Sequence, residues 1–207
     1  MSNTLSALPG AALQPLILAS ASPRRRHWME AMGIPFELQA PQVDETPLLD
    51  EEPMELVLRL AELKAEVIAR RNPGRWVLAA DTTVAVDHHT LNKPVDVEDA
   101  VRMLTLIQGR AHQVHTGLCL QRDAQVHSFV DTAQVHFRPL TEAQIRWYVG
   151  THEPMDKAGA YAIQGIGALF IENVAGSFST VMGLPVERMS ALFWHLGLLK
   201  PWVGFPL

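Results

Sequence analysis

The chain reads as an α/β protein, with a mixed central sheet flanked by helices and a cleft between two lobes. Three observations carry that reading. Apolar runs of strand length alternate with amphipathic helical stretches through the first half of the chain, and two long strand-like runs joined by a tight turn follow. A length of 207 residues, 48% hydrophobic and 19% charged, suffices for one sizeable core of ordinary globular composition. No repeat, low-complexity tract or linker divides the chain, so residues 15–200 are expected to form one domain, with 1–14 a disordered leader and 201–207 a C-terminal tail.

Taken in order, Leu16–Ala19 is the first strand. Ser22 is a suitable N-cap and Pro23 a suitable first helical residue, opening a helix to Met32 that Gly33 stops. Pro35–Leu38 is a short second strand, and residues 40–53 form an acid- and proline-rich loop. A long helix from Met54 to Arg71 ends at Asn72-Pro73-Gly74, with Leu56, Leu60, Leu63 and Val67 as its core-facing stripe. Trp76–Ala80 is a buried strand that pauses at Asp81-Thr82-Thr83 before Val84-Ala85-Val86, and His88-His89 makes a surface turn. Asp96 caps a helix to Ile107, with Glu98 and Asp99 in its first turn and Gly109 closing it. Residues 112–121 and 125–137 pair around Arg122-Asp123. Thr141-Glu142-Ala143-Gln144 is a capping box for a helix to Val149, Ala168–Val174 is a strand, and Pro185 starts a last helix to Leu196, before a tail with Trp202 and Phe205.

Composition excludes several classes of function. A net charge of -5 argues against broad nucleic-acid binding. The single cysteine, Cys119, allows neither an intramolecular disulfide nor a cysteine zinc cage, and its apolar surroundings suggest a buried structural thiol. No apolar run reaches the ~20 residues that span a bilayer. Leu13–Ala21 has the apolarity of a signal-peptide core, but no Lys or Arg precedes it, so the chain is expected in the cytoplasm. Phosphate-binding P-loop, Gly-x-Gly-x-x-Gly and Gly-x-Ser-x-Gly motifs are absent.

Four polar constellations interrupt otherwise regular context. In the first, Ser20-Ala21-Ser22-Pro23-Arg24-Arg25-Arg26 places hydroxyls, arginines and a helix N-terminus together, which suits an anion, although an Arg triplet alone also suits a solvated basic turn. The others are Asp44-Glu45 with Lys64, Asp81-Thr82 at a strand end, and Glu153 to Gly165 with Asp156, Lys157 and Gln164; Lys93-Pro94 lies between the last two. Singly, Asp81 fits a turn cap, Lys64 a solvated helix face and Asp156-Lys157 a turn pair. Together they suit a nucleoside triphosphate: cations for phosphate oxygens, carboxylates for Mg²⁺ or Mn²⁺, and one carboxylate for an attacking water.

These pieces resemble the Maf family of nucleoside triphosphate pyrophosphatases. Ser20-Ala21-Ser22-Pro23-Arg24-Arg25, Val43-Asp44-Glu45, Leu60-Ala61 with Lys64-Ala65, Ala80-Asp81-Thr82, Lys93-Pro94, Gly109-Arg110-Ala111-His112 with Val114 and Thr116, Asp156 to Gly165, Gly176-Ser177 and Gly183-Leu184-Pro185 occur in family order over residues 16–196. The resemblance implies an elongated, two-lobed fold related to the inosine triphosphatases, and hydrolysis between the α- and β-phosphates with a divalent cation, commonly by a homodimer. It makes Asp81 the general base and, with Glu45, a metal ligand. It gives Ser20, Arg24, Arg25, Lys64, Lys93, Asp156 and Lys157 to the triphosphate. Arg24, Thr82 and Gln164 match the dTTP/UTP branch of the family, in which a Thr hydroxyl and a Gln amide could read a pyrimidine. Asn92 before Lys93 and Ala80 before Asp81 depart from the family pattern, so altered loop detail is expected with activity kept. The alternatives are a 7-methyl-GTP pyrophosphatase, or a nucleotide-sensing regulator of septum formation that binds without turnover.

Overall fold

One mixed sheet organises the chain, and its strand order explains where a cleft opens. In the computed structural model, which describes residues 15–87 and 89–199, β1 (Leu16–Leu18) runs parallel to both β2 (Phe36–Leu38) and β3 (Val77–Val86). β4 (His89–Leu91), β5 (Ala111–Arg122), β6 (Gln125–Phe137) and β7 (Ile171–Ala175) join antiparallel. The order is β2-β1-β3-β5-β6-β7, with β4 also on β3. Helices α1 (Pro23–Ala31) and α2 (Pro53–Ala69) make the two parallel crossovers, and α3 (Val97–Ile107) and α4 (Glu142–Val149) follow β4 and β6. The short α5 (Phe178–Val181) and α6 (Val186–His195) come last. The fold is thus α/β with a mixed central sheet flanked by helices, as expected.

The sheet has a gap. β1 is in register with β3 only at Ile17↔Val77 and Leu18↔Leu78, and Ala19 N–H reaches the Leu78 carbonyl before the chain turns away. β4 meets β3 only from Val84 onward. Residues 80–83 of β3 therefore have β5 on one edge and no described strand on the other. The expected pause at Asp81 is corrected accordingly: β3 runs unbroken through Asp81, and it is the partner strand that stops. Asp81 also lies in mid-strand, not at a strand end.

Side chains alternate across β3. Val77 and Ala79 face α2, packing with Ile17, Ala19 and Cys119 against Ala61, Ala65 and Ile68. Leu78 and Ala80 face α1 and α6, whereas Val84 and Val86 face α3 and α4. The small alanines bring α2 close, and this rotates its buried face from the expected stripe. Leu56, Leu60, Lys64 and Ile68 are buried, while Leu63 and Val67 are only half-buried at the margin. Burial pushes the Cys119 thiol up to about 12, as suits a structural cysteine.

Several local expectations change. Asp96 and the Thr141–Gln144 box cap their helices with the side-chain bonds expected. Ser22 takes the cap conformation but makes no cap bond with its side chain; instead its N–H donates to Ser20 Oγ at 3.1 Å. The strand expected from Ala168 begins at Ile171, because the N–H groups of Ile166 and Gly167 donate to the Glu153 carboxylate and hold a 3₁₀ turn over Ile166–Phe170. Two more 3₁₀ turns, Glu153–Asp156 and Ala158–Ala160, and α5 were not anticipated. The expected leader, the tail with Trp202 and Phe205, and His88 lie outside the described residues.

One buried histidine makes a prediction. His112 lies edge-on to Phe137 and Tyr161, with Nε2 2.8 Å from the Tyr161 hydroxyl and Nδ1 without a partner among the described residues. Burial first, then the charges of His136 and Arg110, push its pKa down to about 3 from 6.5. The folded ring stays neutral where the unfolded ring takes a proton, so this stability is present above pH 6.5 and is lost as pH falls below it. Stability should drop by roughly 1 kcal/mol per pH unit between pH 6.5 and 4.5. Denaturant melts across that range should show a shallower slope for His112→Gln; an unchanged slope would refute the assignment.

Candidate active site

A cleft of about 450 Å³ opens at the gap beside β3, within the range of small-molecule sites. Ser20, Arg24, Arg25, Glu45, Lys64, Asp81, Thr82, Lys93, Asp156, Lys157 and Gln164 all line it, whereas Asp44 does not and accepts from Thr46 in its own turn. A second cavity of about 520 Å³ beside Trp76 and Phe193 is largely apolar and has no carboxylate among its described lining residues, so the chemistry favours the first.

The catalytic-type groups meet on the α2 side. Lys64 is on the buried face of α2, its side chain 8% exposed, with Nζ 2.6 Å from Glu45 Oε1 and 2.5 Å from Asp81 Oδ1. Neither the solvated-face reading of Lys64 nor the turn-cap reading of Asp81 survives this placement. Burial works against ionisation of Glu45, but the Lys64 hydrogen bond and charge, with Lys93 and Arg25 beyond, hold its carboxyl below the usual range. A lysine bridging two carboxylates is weak evidence for stability, because an apolar cluster of the same shape would serve as well. It leaves a net negative triad, a cation poised between two acids, at one end of a cleft whose other lining charges are mostly basic.

The phosphate-type groups meet on the opposite side. Arg25 is half-buried, with Nε donating to the Gly183 carbonyl at 2.7 Å, Nη1 to Ser20 Oγ at 3.3 Å and Nη2 to Thr82 Oγ1 at 3.1 Å. Burial lowers the Arg24 pKa, with the Asp156 charge opposing, yet a guanidinium stays protonated. Arg26 points outward and pairs with Glu30 at 2.7 Å.

The 153–167 segment closes the cleft. Asp156 and Lys157 form an ion pair, and Lys157 Nζ also donates to the Glu153 carbonyl at 2.7 Å, so this ammonium is held within its own turn. Burial opposes ionisation of Asp156, but Lys157 and then Arg24 keep its carboxyl below the usual range. Lys93 stands exposed at the rim. Asn92 before it accepts from Thr83 Oγ1 at 2.9 Å, and its carbonyl accepts the Gly159 N–H, tying β3 to the 158–160 turn.

Gln164 is exposed, but its loop is fixed by residues to which sequence reasoning gave no role. Glu153 accepts from Tyr148 Oη at 2.7 Å, Ile166 N at 2.9 Å and Gly167 N at 3.0 Å, and Tyr148 Oη accepts from Ala162 N at 3.1 Å. A Cβ on Gly165 would sit 2.2 Å from Glu153 Oε2. The visible signal was the glycine pair bracketing Ile166, with an acid upstream. Thr116 and Gly183 were likewise part of the matched pattern without a role.

No cluster of three or more His, Cys, Asp or Glu side chains suited to a metal occurs among the described residues. Glu45 and Asp81 converge on Lys64 Nζ, which already stands between them, so a divalent ion would take their other carboxylate oxygens, with phosphate oxygens and water completing its shell, the usual way a protein holds Mg²⁺ beside a nucleotide. The donor set fits a hard divalent ion brought with its substrate.

Comparison with known proteins identifies the family. A family model described as Maf-like protein matches residues 15–196. A dTTP/UTP pyrophosphatase from Myxococcus xanthus is 48% identical over 187 residues, 90% of this chain and 95% of that protein. Another from Thermus thermophilus is 46% identical over 188 residues, 91% of this chain and 98% of that protein. Among solved structures, the Staphylococcus aureus Ham1 protein aligns with a TM-score of 0.52 at 15% identity, covering 90% of this chain and all of that one. A HAM1 protein from Coxiella burnetii aligns at 0.51 and 15% identity, covering 88% of this chain and all of that one. At such identity these two speak to the fold alone.

Proposed function

The chain belongs to the Maf-like family, and on that footing we propose that it hydrolyses dTTP and UTP to the monophosphate and pyrophosphate, in a house-cleaning role. The observation that carries the reading is the split cleft: a lysine between two carboxylates on one side of β3 and an anchored arginine on the other. One side suits the attacking water and the other the triphosphate.

In this proposal Lys64 Nζ holds Asp81 Oδ1, leaving Oδ2 to take the proton of a water that attacks the α-phosphorus. The bond from the α-phosphorus to the bridging oxygen breaks, and pyrophosphate leaves with the electron pair. Arg24, Arg25 and Lys93, with the Ser20 hydroxyl, hold the phosphates, Arg by its planar fork. Asp156 and Lys157 complete the rim. Glu45 and Asp81 would hold Mg²⁺ or Mn²⁺, which supplies positive charge to the phosphate oxygens. Arg24, Thr82 and Gln164 set the preference for a pyrimidine. Residues 15–200 act as one unit in a homodimer in the cytoplasm, with a small-molecule substrate and no nucleic acid or membrane. No described helix is long and apolar enough to cross a membrane.

The purified chain with Mg²⁺ or Mn²⁺ should release pyrophosphate from dTTP and UTP, and a chelator should stop it. Release of orthophosphate, faster turnover of 7-methyl-GTP, or tight triphosphate binding without turnover would each overturn the reading.

A further inference from the structure

The guanidinium of Arg25 carries five N–H groups. Three go to Gly183 O, Ser20 Oγ and Thr82 Oγ1, and the other two have no acceptor among the described residues. What fixes Thr82 then decides where those two point. Thr82 Oγ1 lies 2.9 Å from Thr116 Oγ1, and Thr116 Oγ1 lies 2.8 Å from the Thr180 carbonyl oxygen. A carbonyl can only accept, so the Thr116 proton goes to Thr180. Thr116 must then accept the Thr82 proton, and Thr82 accepts from Arg25. Every direction in the chain is determined: Arg25 to Thr82 to Thr116 to Thr180. With its proton committed inward, the Thr82 hydroxyl can meet a base only as an acceptor, as toward a pyrimidine N3–H.

The chain is anchored at its far end. Thr82, Thr116 and Asp131 are directly opposite one another on β3, β5 and β6. The Thr180 hydroxyl donates to Asp131 Oδ2 at 2.5 Å, and Arg188 Nη1 donates to Asp131 Oδ1 at 3.3 Å. This polar row crosses a face that is apolar on both sides, with Ala80 and Leu118 in one core cluster and Val84 and Val114 in the other. Thr116 and Thr180 are both 0% exposed. Fully buried hydroxyls carry a desolvation cost that apolar residues of similar shape avoid, so packing alone gives no reason for the row.

We propose that Thr116 is a positioning residue that, through Thr82, aims the two unspent N–H groups of Arg25 at the triphosphate. This rests on the reading of the cleft given above. Thr116→Val keeps the shape and removes the acceptor, so the Thr82 proton loses its partner. kcat/KM for dTTP should fall about tenfold, carried by KM with kcat little changed, because loss of a buried hydrogen-bond partner is felt as weaker grip on the phosphates. Thr116→Ser should restore KM to near the wild-type value, a rescue that a packing role would not produce. Asp131→Ala, at the partly exposed end of the row, should raise KM in the same direction by a smaller factor, and it decides the matter if Thr116→Val does not fold. Wild-type KM in Thr116→Val, equal losses in the Val and Ser variants, or unchanged KM in Asp131→Ala would overturn the proposal. A wild-type protein that releases no pyrophosphate would instead overturn the functional reading.

Discussion

Asp81→Asn is expected to lower kcat for pyrophosphate release by about a thousandfold, the scale of a lost general base, with substrate binding preserved. Asn is nearly isosteric, and its Oδ1 can still accept from Lys64 Nζ, which sits 2.5 Å from Asp81 Oδ1. The backbone is held by a continuous ladder to β5, with Asp81 opposite Gly117, so the strand has no reason to move. Lys64 keeps Glu45 as its partner at 2.6 Å, so no buried charge is left unpaired and the melting temperature should stay near that of the wild type. Turnover by quantified pyrophosphate release, with thermal unfolding as the control, checks both halves. Normal turnover in the variant would show that another group activates the water. A large drop in melting temperature would show that the carboxylate serves the fold first.

Much of this was legible in the chain, for physical reasons that differ by element. α3 and α4 announce themselves through side-chain caps at Asp96 and Thr141, because the bonds that end a helix are local. β5 and β6 are equally readable, since a tight turn around Asp123 joins two long runs. The continuity of β3 was not legible. Asp81 and Thr82 look like the end of a strand because they are polar, but they are polar because β1 has ended beside them. That is a fact about a neighbour more than 60 residues away, and no local window contains it. The buried stripe of α2 failed for a related cause: Lys64 reads as a surface residue until Glu45 and Asp81 arrive from two other segments. Every residue that family order nominated for the site lines the cleft, although the cleft has further walls, such as Pro41, Val84 and Val181, that it did not name. Family order could not assign Thr116, because the direction of each hydroxyl proton depends on a carbonyl in α5.

Gly117→Ala should damage both stability and activity, because this glycine fixes the height of α2 above the sheet. A Cβ there would sit 2.2 Å from the Val57 carbonyl oxygen, 2.5 Å from its carbon and 2.8 Å from Leu58 N. All three are backbone atoms in mid-helix, so no side chain can swing aside, and α2 must lift or β5 must bend. Overpacking of this kind costs about 3 kcal/mol, which in a chain of this size lowers the melting temperature by about 6–12 °C. Lys64 is two turns further along the same buried face, and Asp81 is the strand residue paired with Gly117, so lifting α2 draws the ammonium away from the carboxylate. A displacement near 1 Å at such a contact costs on the order of a hundredfold in kcat/KM. The control is Gly150→Ala, whose added methyl carbon meets nothing nearer than 3.3 Å and whose φ of -62° is ordinary; it should leave both quantities near wild type. If Gly117→Ala melts with the wild-type protein, the close approach of α2 is not what holds Lys64 against Asp81. If it melts early yet turns over normally, the ion pair tolerates a shift that this geometry says it should not.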